Sequence, residues 1–503
     1  MMTAIHTAGG QADTLEQVIA GVHSYCRRNA GALVAELSDF VRVPNNVFEP
    51  EAIQRNARHL EVMLERRGFS TEQWPTPSGR PLVFAELPAP GASRTLLIYS
   101  HYDGVPVEED AWHSNPYEPV LRDHAPLGAD DDWSTISLPA NGVYQPEWRL
   151  YGRSVADSKN ALVAVLGAID ALRAQGRSPQ VHLKLLLDGE EEEESPGLPT
   201  ALTAHSERLA ADLMISASGE THQSGRPTVE LGMRGILLFE LTVHTALVDL
   251  HSGHFGNFAP NAALRLAQLL STLKHFDGTV AVQGFYDEVV PLSASEREAL
   301  NAIPQLEPQL LERFGIARPE VTGRLLQELI NQPTLNMRGL QGGFVGAAAR
   351  NSIPRSATAD IDVRLVKGMD PQRTFVRILA HVERQGYHVV DHPPTAEELR
   401  AHPWLVQATL KAGFRAERVP LDEPRAQSIV RAVTAATDPP VVVMPTSGGS
   451  LPIYLFAERG LPVISVPISN YDCNQHTADE NLQLGFLFRA VAIFAALLSR
   501  MPE

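Results

Sequence analysis

The sequence predicts an α/β fold, in which a mostly parallel sheet is covered by helices and a smaller α+β domain is inserted. Short apolar runs that end in polar residues alternate with helical patterns, which is typical of buried parallel strands. A central stretch instead alternates apolar and polar residues, as strands with one solvated face do. The chain has 503 residues, more than one hydrophobic core usually organises, so we expect more than one domain.

The first part of the chain carries the β-then-α pattern. Apolar residues recur at helical spacing through 15–43 and 53–67, which predicts two helices. TLLIYSHYDG at 95–104 and VHLKLLLDGEEEEE at 181–194 are apolar runs that end in polar residues, typical of buried strands that meet loops. Between them, the strongly apolar segment 160–174 predicts a helix. Ligands of such sheets bind beyond the carboxyl ends of the strands.

The central stretch predicts the inserted α+β domain. ILLFELTVHTA and SATADIDVRLV alternate apolar and polar residues, and helical patterns occupy 262–273 and 371–385. The last part returns to buried strands, VVVMPTSGG and PVISVPIS, and closes with an apolar helix. We therefore predict a first domain made of 1–228 and 398–503, interrupted by an insert at 229–397.

Composition excludes several classes of protein. The formal charge of -17 argues against nucleic acid as a partner, because phosphate binding needs clustered Lys and Arg. No segment approaches the ~20 continuous apolar residues of a membrane span, and no secretion signal is recognisable. Cys26 and Cys473 match no disulfide or zinc-ribbon spacing. We expect a cytoplasmic protein whose metal, if any, is bound by His and carboxylates.

Two polar clusters precede or follow apolar elements in the first half. In a strand, His101 and Asp103 point to the same face, so the Asp can accept the second ring N–H of a metal-bound His. A satisfied polar pair is the simpler interpretation of an H-x-D pattern. Asp157 lies just before the apolar helix, where an N-terminal cap is the commoner role for Asp.

Two more clusters follow predicted strands. The run Glu190–Glu194 would normally be solvated surface, but it directly follows LKLLL, a buried strand. Carboxylates crowded at a strand end repel unless a cation compensates them. His476 follows PVISVPIS and would alone mean little. Because all four clusters lie at strand ends, together they predict a metal site.

These residues lie in motifs that resemble those of the zinc-dependent carnosinase, acetylornithine deacetylase and carboxypeptidase G family, and most closely its carnosinase-like dipeptidases. The similarity runs from about 97 to about 482. SHYDGVPV resembles G-H-x-D-V-x-P-V, AWHSNPYEP resembles W-x-x-x-P-F-x-P, and LYGRSVADSKN resembles Y-G-R-G-x-x-D-x-K-G. DGEEEEESP resembles E-G-E-E-E-x-G-S-P, and DLHSGHFG resembles D-L-H-S-G-x-F-G-G; GGSLPI and QHTADEN complete the set.

The resemblance implies a zinc-peptidase-like catalytic domain and an insert that serves as a lid and dimerisation domain, so we expect a homodimer. It implies that His101 binds one metal, that Asp157 bridges two, and that Glu192 and His476 bind the second. The expected cofactor is one or two zinc ions. Manganese or cobalt is an alternative, because the ligands mix His and carboxylate.

The resemblance also implies roles in catalysis and substrate binding. Glu191 would be the general base that deprotonates the attacking water, and Asp103 would orient His101. His251, in the insert, would stabilise the oxyanion, often across a dimer in this family. Arg364 would hold the substrate carboxylate through its guanidinium fork; the pocket would also include Gly449 and Ser450. Their simpler interpretations are a surface salt bridge for Arg364 and a satisfied core residue for His251.

The sequence departs from the family at one metal ligand. Where the family has an Asp or Glu, ADLMISASGE places Ser218, and a neutral hydroxyl is a poor zinc ligand beside carboxylates. Glu220 or His222 could replace it, the enzyme could work with one metal, or the first site could be empty and activity lost.

Other departures are milder. Ser154 and Asn160 replace glycines, Glu194 replaces the glycine before Ser195, and the segment 122–146 is longer than the family pattern. The leading hypothesis is a metal-dependent amide hydrolase that acts on dipeptides. The alternatives are an N-acyl amino acid deacylase and a non-catalytic member of the family.

Overall fold

The structure, a computed structural model, describes residues 14–126, 131–137, 139, 143–449, 452 and 454–499. Its strands are, in chain order, β1 (Ser70–Trp74), β2 (Leu82–Leu87), β3 (Thr95–His101), β4 (Val120–Arg122), β5 (Arg149–Tyr151), β6 (His182–Asp188), β7 (Leu213–Ser216), β8 (Thr228–Glu230), β9 (Gly232–Met233), β10 (Gly235–His244), β11 (Leu250–His251), β12 (Thr334–Gly342), β13 (Ser352–Ile353), β14 (Ser356–Leu365), β15 (His388–Val390), β16 (Leu405–Phe414), β17 (Glu417–Arg418), β18 (Val442–Met444), β19 (Val463–Ser465) and β20 (Asn481–Gln483).

The helices predicted at 15–43, 53–67, 160–174, 262–273 and 371–385 and the closing apolar helix are present to within a few residues, together with others that the sequence analysis did not assign. They are α1 (Leu15–Val41), α2 (Pro50–Glu65), α3 (Lys159–Arg173), α4 (Leu198–Ala204), α5 (Ser252–Phe255), α6 (Ala262–Leu270), α7 (Ala294–Asn301), α8 (Glu307–Phe314), α9 (Leu326–Ile330), α10 (Pro371–Arg384), α11 (Ala396–Ala401), α12 (Pro424–Ala436), α13 (Tyr454–Ala457) and α14 (Leu484–Ser499). None of the helices in the described part of the chain has the length and apolarity that a membrane span requires.

The chain forms two compact units. The main unit comprises Met1–Leu231, Val419–Val443 and Leu455–Glu503, and the inserted unit comprises Gly232–Arg418 and Met444–Tyr454. The sequence assigns 398–418 to the second part of the main domain. In the structure these residues belong to the inserted unit, because β16 pairs with β10 along its whole length. Residues 444–449, which the sequence also assigns to the main domain, belong to the inserted unit as well, where Ser447 forms a bridge with Met233.

The main unit is built on a sheet of strand order β1-β2-β6-β3-β7-β19-β8-β18. The central pairs β6–β3, β3–β7 and β7–β19 are parallel, whereas β1–β2, β2–β6 and β19–β8 are antiparallel. The predicted α/β class is therefore confirmed. The carboxyl ends of the four parallel strands lie along one edge, and three of the four polar clusters follow these strands.

Helices α1, α3 and α14 form the apolar layer that covers this sheet. Residues from all three are fully buried in one core cluster, among them Val34, Leu166 and Phe494. The Lys159 ammonium, at the start of α3, donates hydrogen bonds to the carbonyls of Phe40 (2.9 Å) and Val43 (2.7 Å) at the end of α1. This buried contact fixes the start of α3, and with it the loop that carries Asp157.

The inserted unit contains a five-stranded sheet of order β12-β14-β10-β16-β15. Its pairs are antiparallel except β15–β16. Alternate residues of β10 are buried, as the sequence pattern predicts for a strand with one solvated face. The buried face packs against helices α6 and α10 through a second core cluster, which includes Phe239, Leu266 and Ile378.

Candidate metal centre and active site

The main sheet brings two of the polar clusters side by side. His101 is the last residue of β3, and it pairs in parallel register with Asp188, the last residue of β6. The acidic run begins two residues after Asp188 and forms a short 3-10 turn at Glu191–Glu193. Asp157 lies in the loop before α3, and His476 lies in the loop between β19 and β20.

His101 is buried, and both nitrogens of its ring lie within hydrogen-bond distance of polar side chains. Its Nδ1 lies 3.3 Å from Oδ1 of Asp103, and its Nε2 lies 3.0 Å from Oδ1 of Asp157 and 3.0 Å from Oγ of Ser158. A carboxylate that accepts the Nδ1 proton leaves the Nε2 lone pair available to a metal. The other oxygen of Asp103 accepts the backbone N–H of Glu192 at 2.9 Å, so Asp103 holds two of the predicted ligands.

Asp157 lies between the two histidines. His476 Nε2 is 3.1 Å from Asp157 Oδ2 and 3.1 Å from Glu192 Oε2. One ligand atom from each of His101, Asp157 and Glu192 lies within 4.8 Å of the other two. Imidazole nitrogens and carboxylate oxygens gathered at this spacing are a donor set that zinc accepts.

The electrostatics of the cluster also fit a cation. Burial raises the pKa of Glu191 to about 8 and raises that of Glu192, while the charges of His101 and His476 oppose these changes. Burial acts to raise the pKa of Asp157, but hydrogen bonds from the two histidines outweigh it and lower that pKa. Bonds to Asp157 and Glu192 raise the pKa of His476 to about 10. A bound cation would stabilise the same carboxylates.

The acidic run does not act as one surface patch, because its members have different partners. Glu190 is buried and accepts hydrogen bonds from Oγ of Ser78 (2.5 Å) and from the N–H of Gly197. Glu193 is exposed and forms an ion pair with Arg80 at 2.5 Å. Glu194 is exposed and ends the 3-10 turn. Glu191 and Glu192 are therefore the two members left to serve the site.

The described residues give Ser218 and Glu220 different surroundings. Ser218 lies two positions beyond Ser216, which pairs with Tyr99 of β3, so it follows β7 as His101 follows Tyr99. Glu220 accepts a hydrogen bond from Sγ of Cys473 at 3.3 Å. The group of converging ligand atoms found among the described residues does not include Glu220.

The side chain of His222, the third residue considered for the missing ligand, contacts a neighbouring residue of its own loop. Its Nδ1 lies 3.0 Å from Oγ of Ser224 and accepts the N–H of Ser224 at 3.2 Å. This ring nitrogen is committed to a local turn, and His222 is absent from the converging group among the described residues.

The described part of the long segment after β4 is linked to the loop of His476 through His113. The Trp133 ring stacks on the His113 ring with centroids 3.6 Å apart. His113 in turn binds the carboxylate of Asp479 through its backbone N–H (3.0 Å) and its Nδ1 (2.8 Å). The segment 122–146 is the one that is longer than the family pattern, and these contacts link it through His113 to the segment that carries His476.

One buried acid of this loop was missed by the sequence analysis. Glu480 is fully buried, and its Oε1 accepts the backbone N–H of Asp157 at 3.0 Å. It lies within the motif QHTADEN, so its position in a motif was the available signal. Its partners could not be known, because they come from a distant loop.

The remaining predicted residues belong to the inserted unit. His251 is exposed, and its Nδ1 accepts the N–H of Gly253 at 3.1 Å. Arg364 lies on β14, where its Nε is 3.3 Å from Oδ2 of Asp362. Gly449 is exposed with open space at its Cβ position. Ser450 lies outside the described residues.

Imidazole and carboxylate groups gathered at the carboxyl edge of a parallel sheet can hold a divalent metal, as they do in metal-dependent hydrolases. Residues 97–500 match peptidase family M20/M25/M40, and the chain belongs to this family. The predictions of the family and of an enzyme that hydrolyses peptide bonds with a divalent metal are thereby confirmed.

Similar proteins include two dipeptidases. A Cys-Gly metallodipeptidase of Schizosaccharomyces pombe is 25% identical over 457 residues, which cover 88% of this chain and 88% of that protein. A human Beta-Ala-His dipeptidase is 24% identical over 437 residues, with 84% and 78% covered.

Solved structures have the same fold. An M20 family metallo-carboxypeptidase from Sulfolobus solfataricus has a TM-score of 0.71 at 27% identity and covers 93% of this chain and 98% of its own. Human carnosine dipeptidase 1 has a TM-score of 0.69 at 21% identity, with 97% and 98% covered.

The geometry around Asp103 generates a prediction. We expect Asp103→Asn to weaken zinc binding about 10- to 100-fold, because the neutral amide no longer fixes His101 and the Glu192 turn together. Competition with a chromogenic chelator measures this affinity. Asp212→Asn is the matched control, since Asp212 binds the N–H of Thr95 at the opposite end of β3. Wild-type zinc affinity in Asp103→Asn would contradict the interpretation.

Proposed function

We propose that this protein is a zinc-dependent dipeptidase whose active site is built by His101, Asp157, Glu192 and His476, with Glu191 as general base. The observation that carries this proposal is the convergence of the two imidazoles on the Asp157 carboxylate at 3.0 and 3.1 Å. His476 also lies within 3.1 Å of Glu192. Two dipeptidases among the similar proteins support the choice of a short peptide as substrate.

Glu191 is the group best suited to move the proton. It is a neighbour of His101, Asp157 and Glu192, whose charges all act on its pKa. When bound, a divalent ion supplies a Lewis acid that lowers the pKa of the attacking water. The Glu191 carboxylate then accepts the proton of this water and delivers it to the nitrogen of the leaving amine. Asp103 does not bind the metal in this proposal. It orients His101 and the turn of Glu192.

The ends of the substrate are assigned to the inserted unit. Arg364 offers a guanidinium group for the substrate carboxylate, and its pair with Asp362 keeps the side chain on the β14 surface. Gly449 and Ser450 complete the pocket in this proposal. His251 donates to the oxyanion as the peptide carbon becomes tetrahedral.

We also propose a homodimer in which His251 serves the partner's active site. His251 is exposed within its own chain, although its proposed role requires contact with substrate. The inserted unit also exposes large apolar side chains, among them Phe258 at 83% and Val345 at 85%. Exposed apolar surface of this kind is typical of a face that another subunit covers.

A cytoplasmic location accords with the cysteines. Cys26 and Cys473 are both buried free thiols, as expected of a protein in a reducing compartment. Zinc is proposed over manganese and cobalt because the donor set contains two imidazoles beside carboxylates.

Glu191→Gln tests the general base. We expect kcat for dipeptides to fall about 10²- to 10⁴-fold with unchanged zinc content, because the amide cannot accept the proton. Glu193→Gln, which changes the exposed member of the same run, should keep full activity. A zinc-loaded wild type that cleaves neither dipeptides nor N-acyl amino acids would refute the hydrolase proposal, and cleavage of the latter alone would indicate a deacylase.

Ser218→Asp tests the missing ligand. Because a hydroxyl is a weak zinc ligand, we expect the wild type to bind about one zinc tightly and Ser218→Asp to approach about two. Elemental analysis after gel filtration gives this stoichiometry. If the wild type already binds two zinc ions and Glu220→Gln loses one, Glu220 is the replacement ligand and the single-metal interpretation is wrong.

Subunit mixing tests the role of His251. We expect His251→Ala and Glu191→Gln each to be nearly inactive, and their equimolar mixture after subunit exchange to recover roughly a quarter of wild-type activity. The recovered sites combine an intact Glu191 from one subunit with His251 from the other. Full activity of His251→Ala alone, or a mixture that stays inactive, would contradict the cross-subunit proposal.

A further inference from the structure

Two of the proposed metal ligands lie on segments that are far apart in sequence. Asp157 follows β5 and His476 precedes β20. These two strands pair in antiparallel register, with Tyr151 opposite Asn481. The backbone N–H of Gly152 also donates to the carbonyl of Glu480 at 3.0 Å. The segments of the two ligands therefore meet beside Glu480.

The Glu480 carboxylate lies at the centre of the junction between the Asp157 segment and the His476 segment. It has no solvent exposure. Its Oε2 accepts hydrogen bonds from Nη1 of Arg153 at 2.8 Å and from the backbone N–H of Ser154 at 2.8 Å. Its Oε1 accepts the N–H groups of Ala156 at 2.9 Å and of Asp157 at 3.0 Å. Both oxygens thus have two donors each, and all four come from the Asp157 loop.

The loop needs such a partner because it lacks regular structure. Ser154 has a φ of 61°, in the left-handed region that non-glycine residues rarely adopt. The N–H groups of Ser154, Ala156 and Asp157 point inward, and buried donors are costly when they have no acceptor. The Glu480 carboxylate supplies the acceptors that a helix or a strand would otherwise provide.

Arg153 extends the junction to the residue after His476. Its Nη2 donates to the carbonyl of Thr477 at 3.1 Å, while its Nη1 binds Glu480. The guanidinium carbon lies 5.0 Å from the centre of the Trp112 ring, and the residue is only 3% exposed. Arg153 therefore compensates the buried charge of Glu480 and ties both loops together.

We propose that Glu480 is a positioning residue that sets the separation of Asp157 and His476 and thereby the affinity of the metal centre. It touches neither substrate nor the reacting atoms. Its direct bond to the Asp157 N–H fixes one ligand, and its place in the 476–480 turn fixes the other. This inference rests on the proposed metal centre.

Zinc affinity of the full-length chain tests the proposal, with Glu480→Gln as the main variant. The amide has only one acceptor oxygen and, in either orientation, turns an NH₂ group toward two of the four donors, so the loop must shift. We expect the zinc Kd to rise about 10- to 100-fold, as for other groups that orient ligands. We also expect the visible absorption spectrum of the cobalt(II)-loaded variant to differ from that of the wild type.

Glu296→Gln is the matched control for a merely structural effect. Glu296 is also buried, pairs with Arg418 at 3.3 Å and accepts the N–H of Ser293 at 2.7 Å, but it lies in the inserted unit. We expect this variant to lose stability in urea while it keeps the wild-type zinc Kd and cobalt spectrum. Wild-type Kd and spectrum in Glu480→Gln would overturn the proposal.

A second variant keeps the test decisive if Glu480→Gln fails to fold. Arg153→Lys retains the charge but cannot reach both Glu480 and the Thr477 carbonyl, so its zinc Kd should also rise. An unchanged Kd in a folded Arg153→Lys would contradict the proposal. A wild-type chain that binds no zinc would instead refute the proposed function itself.

Discussion

The burial of several carboxylates at one edge of the main sheet is the constraint on which the site depends. Asp103, Asp157, Glu190 and Glu480 are buried there, with Glu191 and Glu192 beside them. Like charges in a low-dielectric interior repel strongly and must be compensated or hydrogen-bonded. The chain supplies His101, His476, Arg153, Arg80 and inward backbone N–H groups, which explains why so many loops in this region are tied to one another.

The compensation is divided among the carboxylates. Asp103, Glu190 and Glu480 each have both oxygens bonded to protein groups, so they act as supports that hold turns in place. Asp157 and Glu192 instead contact the imidazoles, and Glu191 precedes Glu192 in the same turn. A divalent cation would stabilise the charges of these three carboxylates. Each of the three supporting carboxylates, Asp103, Glu190 and Glu480, joins two segments of the chain. Rigid supports reduce the reorganisation that metal binding requires.

The scaffold explains why these groups can be buried together. Strands β3 and β6 end at the same level because they pair in parallel register. Helices α1, α3 and α14 cover the sheet and share its hydrophobic core. Lys159 anchors α3 to α1 through two carbonyls, and β5 pairs with β20, so the Asp157 loop is held at both ends. Glu480 fixes the middle of that loop.

The sequence alone determined the alternation of strands and helices, because periodicity reports which faces are buried, and it determined the ligand candidates through their motifs. It did not determine the extent of the insert, since the pairing of β16 with β10 joins residues far apart in the chain. It could not separate Glu191 and Glu192 from Glu190 and Glu193, which differ only in their three-dimensional neighbours. The role of Glu480 also emerged only in the tertiary structure, because its four donors come from a loop that the fold brings to it.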